Sequence, residues 1–178
     1  MPTLLQISQL GHPILRRKAR EVENVSDPAI QALIDDMIHT CQDVDGVGIA
    51  APQVYQQLRL FIIASKPSPC YPNAPYMEPM AIINPVITFT SEEKEKDWEG
   101  CLSIPGIRGL VPRHKMVMVS FTNRNCEQEE KIFDGFIARV FQHEYDHIDG
   151  IVFLDRADSK DLIMEKEYQK IIQAMPKR

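Results

Sequence analysis

The sequence predicts an α+β fold: mainly antiparallel sheets packed around a central helix that carries His143-Glu144-x-x-His147, with an N-terminal and a C-terminal helix. Three observations predict it. Apolar residues keep helical spacing near the start of the chain and again after residue 135. Between residues 58 and 134 they collect instead in short runs rich in Ile, Val and Phe, divided by turn-forming residues. With 178 residues, 44% hydrophobic and 25% charged, the chain can bury one substantial core without disulfides, so residues 1–178 are expected to form a single domain.

The first helix is predicted in "SDPAIQALIDDMIHTCQDVDG", residues 26–46. Ser26 or Asp27 serves as its N-cap, Pro28 sits in its first turn, and Ile30, Leu33, Ile34, Met37, Ile38, Cys41 and Val44 form its apolar stripe up to Gly46. Strands are expected at "LRLFIIAS" (58–65), "MAIINPVITFT" (80–90), "KMVMVSFTN" (115–123) and "EKIFD" (130–134). Between the first two lies "KPSPCYPNAPYMEP" (66–79), whose five prolines exclude regular structure and mark a surface loop. Helical spacing returns from Gly135 to Ile148, and a last helix is expected from Ser159 to Met175, stopped by Pro176.

A net charge of −5 argues against a general nucleic-acid binder, and the basic cluster Arg16, Arg17, Lys18 and Arg20 is read as a solvated face. No run of about 18 apolar residues would span a membrane, and "MPTLLQISQL" carries no export or import signal, so the protein is expected in the cytoplasm. The four cysteines then read as free thiols unless one binds a metal. Cys41 belongs to a buried stripe and Cys70 to the proline loop, where it is incidental.

The chemistry concentrates in "QHEYDHIDG" (142–150). On a helix His143 and His147 are neighbours one turn apart, and Glu144 lies on the adjoining flank, where a carboxylate can act on water held by a metal. Phe136, Val140, His143 and His147 form one continuous stripe, so the histidines extend an apolar face and need partners. Two imidazoles do not hold a catalytic metal, and the residues alone leave two candidates for the third ligand. Glu167 follows His147 on the next helix, as in thermolysin-like peptidases. Cys101 lies in "WEGCLSIPG", where Gly100 permits close approach, and a Cys-His-His set would leave the fourth position open, as catalytic sites require. A further stretch, "GVGIAAPQ" (46–53), mimics a dinucleotide fingerprint but follows a helix and carries Pro52. Its functional reading is a backbone lying close to a ligand, with the polar Gln53 at its end.

Taken in order, "GVGIAAPQ", "EGCLS" (99–103) and "QHEYDHIDG" resemble the three signature motifs of the peptide deformylase family, whose members remove the formyl group from the initiator methionine of new proteins. The resemblance extends to "GHPILRRKA" (11–19) and "IPGIRGLVPR" (104–113) and spans roughly residues 5–155. Departures are Ile49 and Ile148 where Leu is common, and a longer proline loop.

The resemblance implies Cys101, His143 and His147 as ligands of one divalent metal ion per chain, Fe(II) natively with Zn(II) or Ni(II) accepted, and makes Glu167 an ordinary surface residue. It implies Glu144 as general base, with the Gln53 amide and the Leu102 backbone N–H stabilising the oxyanion. Phe136, Val140, Val47 and Gly48 are expected to hold the methionine side chain, and Gly100 and Arg108 to lie along the peptide. The implied partners are N-formyl-methionyl nascent peptides and a transient ribosome contact, with no nucleic-acid specificity and no membrane. A peptidase using Glu167 and a non-enzymatic metal-binding protein are the competing readings; the second gives Glu144 no purpose.

Overall fold

The computed structural model describes residues 2–68, 71 and 73–174. The readings placed on Cys70, Met175 and Pro176 lie outside those residues.

A five-stranded antiparallel sheet forms the body of the molecule, in the order β1-β2-β3-β6-β7. Its strands are β1 (Gly48–Ala50), β2 (Leu60–Ile63), β3 (Met80–Thr90), β6 (Met116–Thr122) and β7 (Gln128–Asp134). Strand β2 is buried on both faces. Side chains alternate along a strand, so Leu60 and Ile62 point to one face, where they pack with Ile34, Met37 and Cys41 of α1 (Pro28–Asp43). Phe61 and Ile63 point to the other, where they meet Val140, Phe141 and Ile148 of α2 (Gly135–Ile148). All four strand residues are fully buried, each worth on the order of 1.5–3 kcal/mol of transfer free energy.

Helix α1 begins as its sequence dictates. The Asp27 side chain accepts from the Ala29 N–H (2.8 Å), and Pro28 needs no N–H partner in the first turn. At its other end the left-handed residue is Asp45 (φ 52°), not Gly46, and the Gly46 N–H donates to the Cys41 carbonyl (2.9 Å). The first helix, the four expected strands and α2 therefore stand where the spacing puts them, with ends shifted by a few residues.

A second, three-stranded sheet in the order β4-β5-β8 was not legible. Strands β4 (Lys94–Cys101) and β5 (Ile104–His114) form a long hairpin, and β8 is Leu162–Met164. Strand β4 reads KEKDWEGC, mostly exposed and charged, so no apolar alternation announces it. The expected last helix is corrected for the same reason: residues 159–161 form a 3-10 turn, β8 follows, and α3 runs only from Glu165 to Ala174. Leu162 and Ile163 fit a helical stripe, but they pair with Gly109 and Arg108 of β5. "GVGIAAPQ" supplies β1 and then a 3-10 turn, Ala51–Val54.

Candidate metal centre and cleft

Helix α2 lies between the two sheets and reaches β1, β2 and β5. Its C-terminal turns thereby meet the end of the β4–β5 hairpin. The hairpin register shifts between Gly100, opposite Arg108, and Cys101, opposite Ile104. That irregularity bulges residues 105–107 outward, with Gly106 at φ 83°, and turns Cys101 toward α2.

Among the described residues one cluster could hold a metal ion: Cys101, His143 and His147, whose ligand atoms all lie within 4.8 Å of one another. Cys101 Sγ stands 3.3 Å from His147 Nε2. Bond lengths of about 2.3 Å to sulfur and 2.0 Å to nitrogen place two ligands of one tetrahedral ion roughly 3.5 Å apart, so the Cys101–His147 separation matches such an ion. Glu167 is outside it, exposed on α3 and paired with Lys170 (2.7 Å).

Of the two histidines, His143 has an orienting partner, whereas the Nδ1 of His147 is buried without one. His143 Nδ1 lies 2.8 Å from Glu99 Oε2, which leaves Nε2 for the metal. Glu99 is itself buried and receives Arg113 through both carboxylate oxygens (2.8 and 3.0 Å) and Arg139 at 3.0 Å. Arg113 continues to Asp146 (2.6 Å). Burial alone would raise the Glu99 carboxyl; the hydrogen bonds from His143 and Arg113 and the charge of Arg113 hold it well below the usual range. For His147, burial and then the neighbouring His143 keep the imidazole neutral, the form that ligates a metal. Burial also opposes charge on His143, but the Cys101 thiol and Glu99 outweigh it and favour the imidazolium, so an ion arriving there must displace a proton.

Glu144 is also buried, and its Oε2 has no hydrogen-bond partner. Its pKa is pushed up to about 7, chiefly by desolvation; His143 opposes that, Glu99 adds to it and Arg113 opposes it. A carboxylate of this kind exchanges protons near neutral pH. The carboxyl lies against Gly48, where an added Cβ would come within 2.6 Å of Oε1. Gln53 is fixed from the opposite side: its Oε1 accepts from the Ala50 N–H (2.8 Å) while its Nε2 donates to Ser103 Oγ (3.1 Å) and Cys101 Sγ (3.5 Å).

A cleft of about 360 Å³ opens over these groups. Every site residue expected from the sequence lines it except His147, which lies behind its wall: Gln53, Leu102, Glu144, Cys101 and His143 at the floor, and Val47, Gly48, Gly100, Arg108, Phe136 and Val140 around it. Arg108 is no surface charge. It is 4% exposed, and its guanidinium lies between the rings of Tyr71 and Tyr168 (5.4 and 4.6 Å from the ring centroids) while Nε donates to Glu165 (2.5 Å).

Sequence reasoning missed Glu99, Tyr71, the bulge and Glu165. For Glu99 a signal existed, since residues 99 and 101 share a face if the stretch is a strand. For Tyr71 and Glu165 none did, because they reach the cleft from a proline loop and from the C-terminal segment.

Residues 4–162 match the model of the polypeptide deformylase family. The chain is 55% identical over 172 residues to peptide deformylase 2 of Nostoc sp., covering 96% of each. It is 44% identical to peptide deformylase 2 of Shewanella oneidensis, covering 86% of this chain and 84% of the relative. Among solved structures, a class I type b peptide deformylase from Acinetobacter baumannii with Met-Ala-Ser bound superposes with a TM-score of 0.85 at 42% identity, covering 88% of this chain and 99% of that one. A peptide deformylase from Synechococcus elongatus in complex with actinonin gives 0.77 at 33% identity, covering 95% and 84%.

Proposed function

The chain belongs to the polypeptide deformylase family, and from that premise we propose that it is a metal-dependent hydrolase that removes the N-formyl group from the N-terminal formyl-methionine of newly made polypeptides, releasing formate. The observation that carries this reading is the meeting of Cys101, His143 and His147 with the unpartnered carboxylate of Glu144, all but His147 on the floor of one cleft and His147 directly behind it.

Cys101, His143 and His147 would hold one divalent ion, Fe(II) natively, with Zn(II) or Ni(II) able to replace it at such a borderline-soft donor set. When bound, that ion supplies Lewis-acid activation of water and of the formyl carbonyl. Glu144 takes a proton from the attacking water as its oxygen bonds to the formyl carbon, and returns a proton to the nitrogen as the C–N bond breaks. Formate and a free methionine N-terminus leave. Gln53 Nε2 and the Leu102 backbone N–H stabilise the oxyanion, Gln53 being already fixed by Ala50 and Ser103.

Val47, Gly48, Phe136 and Val140 offer the methionine side chain an apolar wall, while Gly100 and Arg108 border the path of the following residues. The Acinetobacter relative holds Met-Ala-Ser, a peptide of the class this reaction leaves. We place the reaction in the cytoplasm, within a single catalytic domain that contacts the ribosome transiently. No helix among the described residues is long and apolar enough to cross a membrane.

The test is formate release from formyl-Met-Ala-Ser by purified protein, with metal content measured in parallel. One equivalent of metal per chain, formate release that a chelator abolishes, and recovery on adding Fe(II), Ni(II) or Zn(II) are expected. Formate release by metal-free protein would refute the reading.

A further inference from the structure

The match to the family model stops at residue 162, yet the chain goes on to touch the cleft. Strand β8 adds to the outer edge of β5, pairing Ile163 with Arg108 and Leu162 with Gly109. The approach is close: a Cβ on Gly109 would stand 3.1 Å from Leu162 and 3.0 Å from Phe153. One residue after β8, Glu165 accepts from Arg108 Nε, and Gln169, a turn further along α3, donates to the other Glu165 oxygen (2.6 Å). Tyr168, 8% exposed and braced edge-on by Trp98 (5.4 Å), lies against the Arg108 guanidinium. Arg108 is thereby held over Gly100, where an added Cβ would be 3.5 Å from its Cζ.

A free arginine side chain samples many rotamers, and fixing one before the ligand arrives lowers the cost of binding. Arg108 Nη1 is also buried with no hydrogen-bond partner, a donor whose cost is recovered when an acceptor reaches it. The carbonyl oxygens of a peptide lying along Gly100 are such acceptors.

We propose that residues 162–174 are part of the substrate site, with Glu165 and Tyr168 as positioning residues that hold Arg108 for the peptide chain beyond the formyl-methionine. This rests on the reading of Arg108 as a substrate contact. It assigns a role in peptide binding to a segment that bears none of the motifs and none of the metal ligands.

The test compares KM and kcat for formyl-Met-Ala-Ser in the metal-loaded full chain. Glu165→Gln and Tyr168→Ala are expected to raise KM about tenfold, the scale of one lost charge-assisted hydrogen bond, with kcat and metal content retained, a split that marks lost binding common to ground and transition states. Tyr168→Phe should recover the KM that Tyr168→Ala loses, since the ring and not the hydroxyl faces Arg108. Glu167→Gln, on the exposed side of the same helix, serves as the control and should leave both constants unchanged. In an Arg108→Met background Glu165→Gln should add nothing. Should Arg108→Met raise KM while Glu165→Gln and Tyr168→Ala do not, the positioning role is overturned and the Arg108 contact stands. Should Arg108→Met leave KM unchanged, the contact itself is wrong and the inference falls with it. A tenfold KM rise from Glu165→Gln in both backgrounds would show that Glu165 acts by another route.

Discussion

Nδ1 of His143 stands 2.8 Å from Oε2 of Glu99, a residue two places before Cys101 on the same strand. One strand thus delivers a metal ligand and the group that orients another. The geometry predicts that Glu99→Gln, which keeps the shape but loses the charge, weakens metal affinity by about 10–100-fold, the usual cost of losing such an outer partner. Competition with a chromogenic chelator measures it; an unchanged affinity would remove Glu99 from the metal's surroundings. Glu99→Ala is the poorer probe, because it leaves the buried Arg139 without its ion-pair partner, at about 3–5 kcal/mol, and Arg113 with Asp146 alone, and would compromise folding.

Cys101→Ala should abolish binding of the single metal ion, while Glu167→Ala should leave it intact, since Glu167 is exposed and paired with Lys170, outside the ligand cluster. Elemental analysis of the two purified variants decides. Metal that follows Glu167 would favour the peptidase reading.

Glu144→Gln should keep fold and metal yet lose about 10²–10⁴-fold in kcat, the contribution of a positioned general base. Gly48→Ala tests the same carboxylate from the other side. Its methyl would come within 2.9 Å of Glu144 Cγ and Cδ, so the side chain must shift. We expect lower kcat with metal content unchanged; wild-type turnover in either variant would show that the position of Glu144 does not matter.

The fold was legible where burial is one-sided or complete and illegible where it is slight. Helices α1 and α2 and the strands of the first sheet carry apolar periodicity or an apolar run because at least one face of each is buried. Strands β4 and β8 carry none: β4 is mostly solvent-facing and β8 is three residues long at a sheet edge. The floor of the site was readable since His143, Glu144 and His147 share one helix and Cys101 follows directly on Gly100. Arg108 was placed at the cleft, but its partners Tyr71, Glu165 and Tyr168 come from segments distant in the chain, and nothing in their own neighbourhoods marks the encounter.

The Arg108–Glu165 pair also predicts a pH signature. Burial would raise the Glu165 carboxyl, but hydrogen bonds from Gln169 and Arg108 and the charge of Arg108 hold it below the usual 4.5. A depressed folded value means stability that is present above the ordinary carboxylate range and is lost as pH falls through the folded value. Glu165 is about one-third exposed, so solvent screening limits the effect to roughly 1 kcal/mol or less. Urea unfolding should find Glu165→Gln less stable than the parent at pH 7, the gap closing in acid once the parent carboxyl is protonated. A gap that persists undiminished there would assign the loss to something other than the ion pair.

The central claim is that this cleft hydrolyses a formyl amide next to methionine, and side-by-side assays of formyl-Met-Ala-Ser and acetyl-Met-Ala-Ser with the metal-loaded protein test it most directly. The acetyl group differs by one methyl on the carbonyl carbon, which must fit between the metal ligands, Gln53 and Glu144. The account predicts rapid formate release from the first peptide and acetate release from the second slower by orders of magnitude. Comparable release of acetate and formate, or no formate from a correctly metallated protein, would contradict it.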